Sequence, residues 1–187
     1  MSDWWVTATG ADHEQGDLQR SLPVVTVESL TIDGDQAQIR TRVEHLDAII
    51  VTQTCDLENS KVENILVARV LAWEDFAAAQ YGAGNTAVKG GSFRRSLVRG
   101  DVPPLSLLHQ QDEPAVQWSV VDFRELHVVS RSTLDRHVQE TEPRARLVSP
   151  YKEHFAQAFA RFYMRVGLPH DARAFEKDGA AAVAGLG

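Results

Sequence analysis

The sequence predicts an α+β domain, a small bent antiparallel sheet or partial barrel covered by about three helices. Three observations carry that expectation. Ile49-Ile50-Val51 is a run of consecutive β-branched residues, the pattern of a strand buried on both faces. A second apolar run, Ile65 to Leu71, follows after a short polar connection, and two buried strands joined so briefly are expected to pair as antiparallel neighbours. The apolar period then becomes helical over Trp73 to Tyr81, and again after Ser149-Pro150.

In chain order, residues 1–15 read as an N-terminal arm, polar apart from Trp4, Trp5 and Val6. The tryptophan pair is costly to leave in water, so it is expected to pack on the domain or on a partner. Gly16-Asp17 is a turn signal that introduces a strand from Leu18, and Pro23 precedes a second β-rich run, Val24 to Val27. Residues 28–46 are polar and mixed, with Asp33-Gly34-Asp35 as a turn and a weak strand pair around Ala37 to Val43. Leu57 to Glu63 reads as a loop after the central strand.

The first helix is expected over 73–81, with Trp73, Phe76, Ala77 and Tyr81 on one face and acids in the first turn. Gly82 to Gly91 reads as a mobile, glycine-rich loop, after which Ser92 caps a short helix over 92–99 that stops at Gly100. Val116 to Phe123, Leu126 to Val129 and Arg144 to Val148 read as further strands. The last helix, 150–166, starts on Ser149 as cap with Pro150 in the first turn. Its apolar stripe is Phe155, Phe159, Phe162 and Val166, and Gly167 and Pro169 end it. One globular domain over 16–170 results, followed by a weakly ordered Ala/Gly-rich tail over 171–187.

Composition narrows the function classes. Hydrophobic residues make up 43% of the 187-residue chain, enough for a real core. The net charge of −7 disfavours a broad nucleic-acid footprint, leaving a local basic patch as the route to such a partner. The single cysteine cannot form an intramolecular disulfide, and nothing points to an oxidising compartment. The N-terminus lacks the features of a signal peptide, and no apolar run approaches the ~20 residues of a membrane helix. The expectation is a cytoplasmic protein with no membrane partner.

The stretch that concentrates chemistry is Gln53-Thr54-Cys55-Asp56, where the Ile49–Val51 strand leaves the core. A cysteine nucleophile needs a nearby His, a basic residue or a helix N-terminus, and the adjacent Asp56 opposes a thiolate. His45, His127 or His154 can reach Cys55 only through the fold. The plainer reading is a half-buried structural thiol with Asp56 capping a turn. No short ligand spacing marks a metal site, so no metal or cofactor is expected, and a metal held by Cys55, Asp56 and a distant His is the third option.

Arg94, Arg95 and Arg99 share one short helix preceded by Lys89, a cluster that suits a phosphate but more commonly forms a solvated face paired with acids. The glycines around it match neither a dinucleotide fingerprint nor a P-loop. On the last helix His154 and Arg161 lie seven apart with Ala158 between them, so they can line a shallow groove, although a solvated face explains the same residues. Asp122, inside a β pattern, needs a partner such as Arg124 or Arg146.

Two resemblances add to these readings. The segments Val51-Thr52-Gln53-Thr54-Cys55-Asp56-Leu57, Ser149 to His154 and Phe159 to Pro169 resemble a family of uncharacterised bacterial proteins. That family has a (S/T)Q(S/T)CDL segment and a C-terminal RxGLP-type ending; the resemblance spans most of residues 16–169 and implies no particular activity. Gly16-Asp17-Leu18, the central strand and Asn64 to Leu71 resemble the SH3-like small β-barrel of MazF-type endoribonuclease toxins. This chain lacks the Arg-Pro pair that leads into the corresponding strand and carries Gln53 to Asp56 where those toxins have a short Ser/Thr site. The second likeness therefore implies a partial SH3-like barrel more than a ribonuclease.

The function expected from all this is a non-catalytic bacterial interaction or regulatory module. It would bind a protein partner or a second copy through Gln53, Thr54 and the Cys55 loop, together with Trp4 and Trp5. The alternative is a hydrolase or endoribonuclease-like enzyme centred on Cys55-Asp56. There His154 or His127 would be the base, and Arg94 or Arg95 would hold an anionic substrate.

Overall fold

The β-branched runs do form strands, and the strands join one sheet. The computed structural model describes residues 3–34, 36–58, 61–164 and 180. Seven strands run β1 (Trp5–Ala8), β2 (Asp17–Asp33), β3 (Gln36–Ile50), β4 (Asn64–Ala72), β5 (Leu105–Leu108), β6 (Ser119–Ser130) and β7 (Arg144–Leu147). Their order across the sheet is β1-β7-β2-β3-β4-β6-β5, and every pairing is antiparallel. As the two apolar runs suggested, Ile49 pairs with Ala68 and Ile50 with Val67.

The sheet is strongly bent but not a closed barrel. Its two edges meet through the side chains of Gln111 and Trp5. The Gln111 carboxamide, just beyond β5, accepts from the Trp4 and Trp5 amides at 2.9 and 3.1 Å and donates to Trp5 O at 2.9 Å. The Trp5 indole N–H donates to His109 O at 2.8 Å. Strand β1 is therefore tied to the far edge without a β-ladder between them, which satisfies edge groups that a longer strand would leave exposed.

The helices α1 (Thr54–Glu58), α2 (Trp73–Gly82), α3 (Gly91–Arg99), α4 (Arg131–Thr141) and α5 (Tyr151–Tyr163) cover this sheet. α5 lays Phe155, Phe159 and Phe162 around Phe123, with ring centroids 5.7, 5.4 and 6.2 Å away. That confirms the apolar stripe as far as Phe162; Val166, the Gly167 and Pro169 stop and the tail lie outside the described residues, residue 180 apart. α4 covers the other face over Leu22, Val24, Leu46, Ala48, Ile50 and Val67, inserting Leu134 and Val138. α2, a 3-10 turn at Thr86–Lys89 and α3 close a third cluster of Phe76, Val88, Leu97, Leu105 and Val120.

Several expectations are corrected. The N-terminal segment does pack on the domain, but as a strand: Trp5–Ala8 pairs with Arg144–Leu147. The two runs at Leu18 and Val24 are one strand, and the polar stretch after them continues a long hairpin with β3. The runs at 116–123 and 126–129 give way to the single strand β6, which bulges so that Arg69 faces Asp122 while Ala68 faces Leu126. Val88 anchors the glycine-rich segment in the core. α4, α1, β1 and β5 were not anticipated. Neither Ser92 nor Ser149 caps its helix; Gly90 and Pro150 occupy those positions without a side-chain bond.

Candidate functional site

The structure divides the expected site residues among three places. The first is the β3–β4 connection. Thr52 Oγ1 accepts from Leu66 N at 2.8 Å, Thr54 Oγ1 accepts from Gln15 N at 3.2 Å, and Leu57 is buried. Half of the Thr52–Leu57 segment is therefore spent on holding the turn. Cys55 and Gln53 are exposed, and the thiol is placed as a donor toward Gln53 Oε1 at 3.8 Å and Asp56 Oδ1 at 4.0 Å. α1 is a single short turn, too brief to supply a dipole site.

Beside this connection lies an ion cluster that the sequence did not reveal. Asp17 is fully buried at the root of β2 and accepts from Arg144 Nε at 2.8 Å and from Arg146 Nη2 at 2.9 Å. Glu14 bonds Arg146 and, at 2.8 Å, Lys152 of α5. The Arg144 guanidinium also donates to Gly10 O and Asp12 O. Burial works against the Arg146 charge, but the Asp17 hydrogen bond and the charges of Asp17, Glu14 and Asp12 outweigh it and raise its pKa. With its donors and acceptors matched to one another, the cluster locks residues 10–17 onto β7 and α5. It is a clasp rather than a reactive centre. Asp122 has the other foreseen partner: Arg124 donates to it through Nε at 2.8 Å and Nη2 at 2.6 Å.

The second place is α3. Arg94 and Arg95 are exposed on it, and Arg94 Nη1 donates to Lys89 O at 3.0 Å. α3 packs on β5, with β6 and β4 between it and the β3–β4 connection, so the arginines are not assembled with Cys55. The solvated-face reading describes Arg94 best.

The third place is a cleft of about 430 Å³ between α3 and α5, floored by β5. Its volume lies in the range of small-ligand sites and its walls are mainly apolar. One end is an aromatic row. Trp4 stacks on Tyr151 at 3.9 Å and on His109 at 5.2 Å, and His109 tilts onto Trp118 at 4.4 Å. His154, Ala158 and Arg161 line the α5 wall, so the groove considered for that helix face exists. Arg99 is paired with Asp101 at 2.7 Å. Arg161 is exposed and makes no hydrogen bond or ion pair among the described residues.

This distribution separates residues that the sequence reading had grouped. His154 rests against the Tyr151 ring in the cleft, whereas the sulfur of Cys55 faces Gln53 and Asp56. Trp4 is a wall of the cleft, but Trp5 is only 1% exposed and has no surface to offer a partner. His109, Trp118 and Tyr151 were not singled out; they come from three separate segments and carry no common spacing. Among the described residues no group of three or more His, Cys, Asp or Glu is placed to hold a metal, and no helix is long and apolar enough to cross a membrane. No protein-family model and no curated protein matches this chain.

Proposed function

We propose that the chain is a cytoplasmic bacterial interaction module, without catalysis of its own, whose recognition site is the cleft between α3 and α5. The observation that carries this reading is the stacked row Tyr151–Trp4–His109–Trp118 at the mouth of an apolar cleft beside the uncommitted Arg161. Aromatic walls bind apolar and aromatic groups with little loss of side-chain entropy. A guanidinium with no internal carboxylate adds a preference for an acidic group. The occupant that fits is a short segment of a protein partner with an aromatic or aliphatic anchor beside an Asp or Glu.

The enzymatic alternative centred on Cys55-Asp56 has less support, because its thiol stands on α1, its anion holder on α3, and its base on α5 (His154) or β6 (His127). The test uses short peptides carrying a Phe or Leu anchor next to Glu, with matched peptides carrying Lys. Binding is followed by tryptophan fluorescence. The Glu peptides are expected to bind, Trp118→Ala to abolish binding, and Arg161→Glu to reverse the Glu-over-Lys preference several-fold. Equal binding by wild type and both variants, or none by wild type, would overturn the assignment. Trp4→Ala is a useful third variant; Trp5→Ala is not, because it opens the core.

A further inference from the structure

We infer that the outer half of the β2–β3 hairpin is a self-association surface, and that its occupant is the same face of a second copy of this chain. The inference is independent of the cleft. Beyond Leu18, β2 pairs with β3 alone, and before Ala48, β3 pairs with β2 alone. The result is a two-stranded ribbon projecting from the sheet, with Gly34 at φ +58° in its tight turn. Such ribbons are marginal without cover on a face.

The ribbon is built to be amphipathic. Val25 lies opposite Val43, Val27 opposite Thr41, Leu30 opposite Ile39 and Ile32 opposite Ala37. Residues directly opposite share a face, and alternate residues of β3 share that same face. On β2 the apolar positions change from odd to even between Val27 and Leu30, which would send half of them to the wrong side in a regular strand. The register shift between Val27 and Ser29 cancels the change. One face therefore carries eight residues and no charge. The other carries Arg40, Arg42 and Glu44, with Arg42 bonded to Glu44 and 3.4 Å from Glu28.

On β3 this face shares its side with Ile49 of the core, but the polar residues His45 and Asp47 stand between them. In the body of β3 the side chains packed with α4 are Leu46, Ala48 and Ile50; in the ribbon the apolar set is Ala37, Ile39, Thr41 and Val43, on the opposite side. No element of the described chain covers it. Its six large aliphatic residues are 57–69% exposed.

At roughly 100 Å² of exposed surface for each such side chain, six present about 600 Å², a patch as large as any that a typical monomer leaves bare. Two of these faces pressed together bury about 1,200 Å², the lower bound of a specific interface. A charge-free apolar face offers no complement to a nucleic acid or a charged partner. Against its own copy it forms a small two-layer sandwich with alternating side chains interdigitated, and a two-fold axis makes the contact self-complementary.

Sedimentation equilibrium of the intact chain over a hundredfold concentration range tests this. Wild type is expected to approach a two-copy mass. Ile39→Lys should raise the dissociation constant about 100-fold or more by placing an unpaired charge in the contact, with circular dichroism unchanged. Gln38→Glu on the back face and Trp4→Ala in the cleft should leave the mass unchanged. In a Cys55→Ser background, Thr41→Cys should cross-link under mild oxidation faster than Gln38→Cys. A wild type that stays monomeric, a dimer that tolerates Ile39→Lys, or the reverse order of cross-linking would overturn the inference.

Discussion

The inner and outer halves of the β2–β3 hairpin share a secondary structure and differ in almost everything else. In the inner half Leu18, Leu22, Val24, Leu46, Ala48, Ile49 and Ile50 are 0–6% exposed. In the outer half residues of the same chemical kind are 57–69% exposed. β-propensity does not distinguish them, since both are rich in Val, Ile and Leu. Coverage does: α4 lies over one face of the inner half and the α5 side of the sheet over the other, and neither reaches beyond Val24. A run of β-branched residues fixes that a strand forms, while the elements that arrive from elsewhere in the chain decide whether it becomes core or surface.

The sharpest way to break the comparison is at the root of the inner half. Asp17→Ala removes the partner of Arg144 and Arg146 and leaves the Arg144 side chain, only 5% exposed, without its carboxylate. A cost of about 3–5 kcal/mol is expected, the size of breaking one side of a buried ion pair, read as a lower urea midpoint. A loss below about 1 kcal/mol, typical of an exposed pair, would show that residues 10–17 are not clasped as described. Next in size is a matched pair of truncations. Ile50→Ala should cost about 2–5 kcal/mol through the cavity it opens. Ile32→Ala, with the side chain 69% exposed, should change monomer stability by no more than about 0.5 kcal/mol. Equal costs would mean that the outer half is packed in the free chain.

The same contrast explains what was legible in the sequence. Strands β4 and β7 and helices α2, α3 and α5 announced themselves because apolar period and buried face coincide in each. The outer hairpin reads as polar and mixed because its one-residue bulge at Glu28 breaks the alternation that defines a strand by eye. α4 was missed because its three buried positions, Leu134, His137 and Val138, include a histidine and so look like a short polar stretch. At the candidate site, Trp4, His154 and Arg161 were visible as single residues. His109, Trp118 and Tyr151 were not, because stacking between Trp4 just before β1, the β5–β6 connection and α5 is long-range information. The Asp17 clasp was equally hidden: its carboxylate lies more than a hundred residues from the two arginines that neutralise it.

His137 gives a gentler test of the cover over the inner half. It sits on the buried face of α4, close to Arg20 of β2, and its Nε2 has no partner among the described residues. Burial lowers its pKa below the usual 6.5 and the nearby His45 works in the same direction; a hydrogen bond to the Arg20 backbone carbonyl and the charge of Glu140 oppose this in part. Because the folded value lies below the unfolded one, the unfolded chain takes up the proton first. The contribution of the neutral imidazole is therefore fully present above the unfolded value and is lost as pH falls from there through the folded value. The urea midpoint of wild type should drop between neutral and mildly acidic pH by more than that of His137→Gln, with the carboxylates common to both cancelling in the difference. Hydrogen exchange should locate the loosening at Leu22 and Val24 under α4, with Val27 to Ile32 unchanged. Parallel pH profiles for the two proteins would show that α4 does not hold the inner half through a neutral His137.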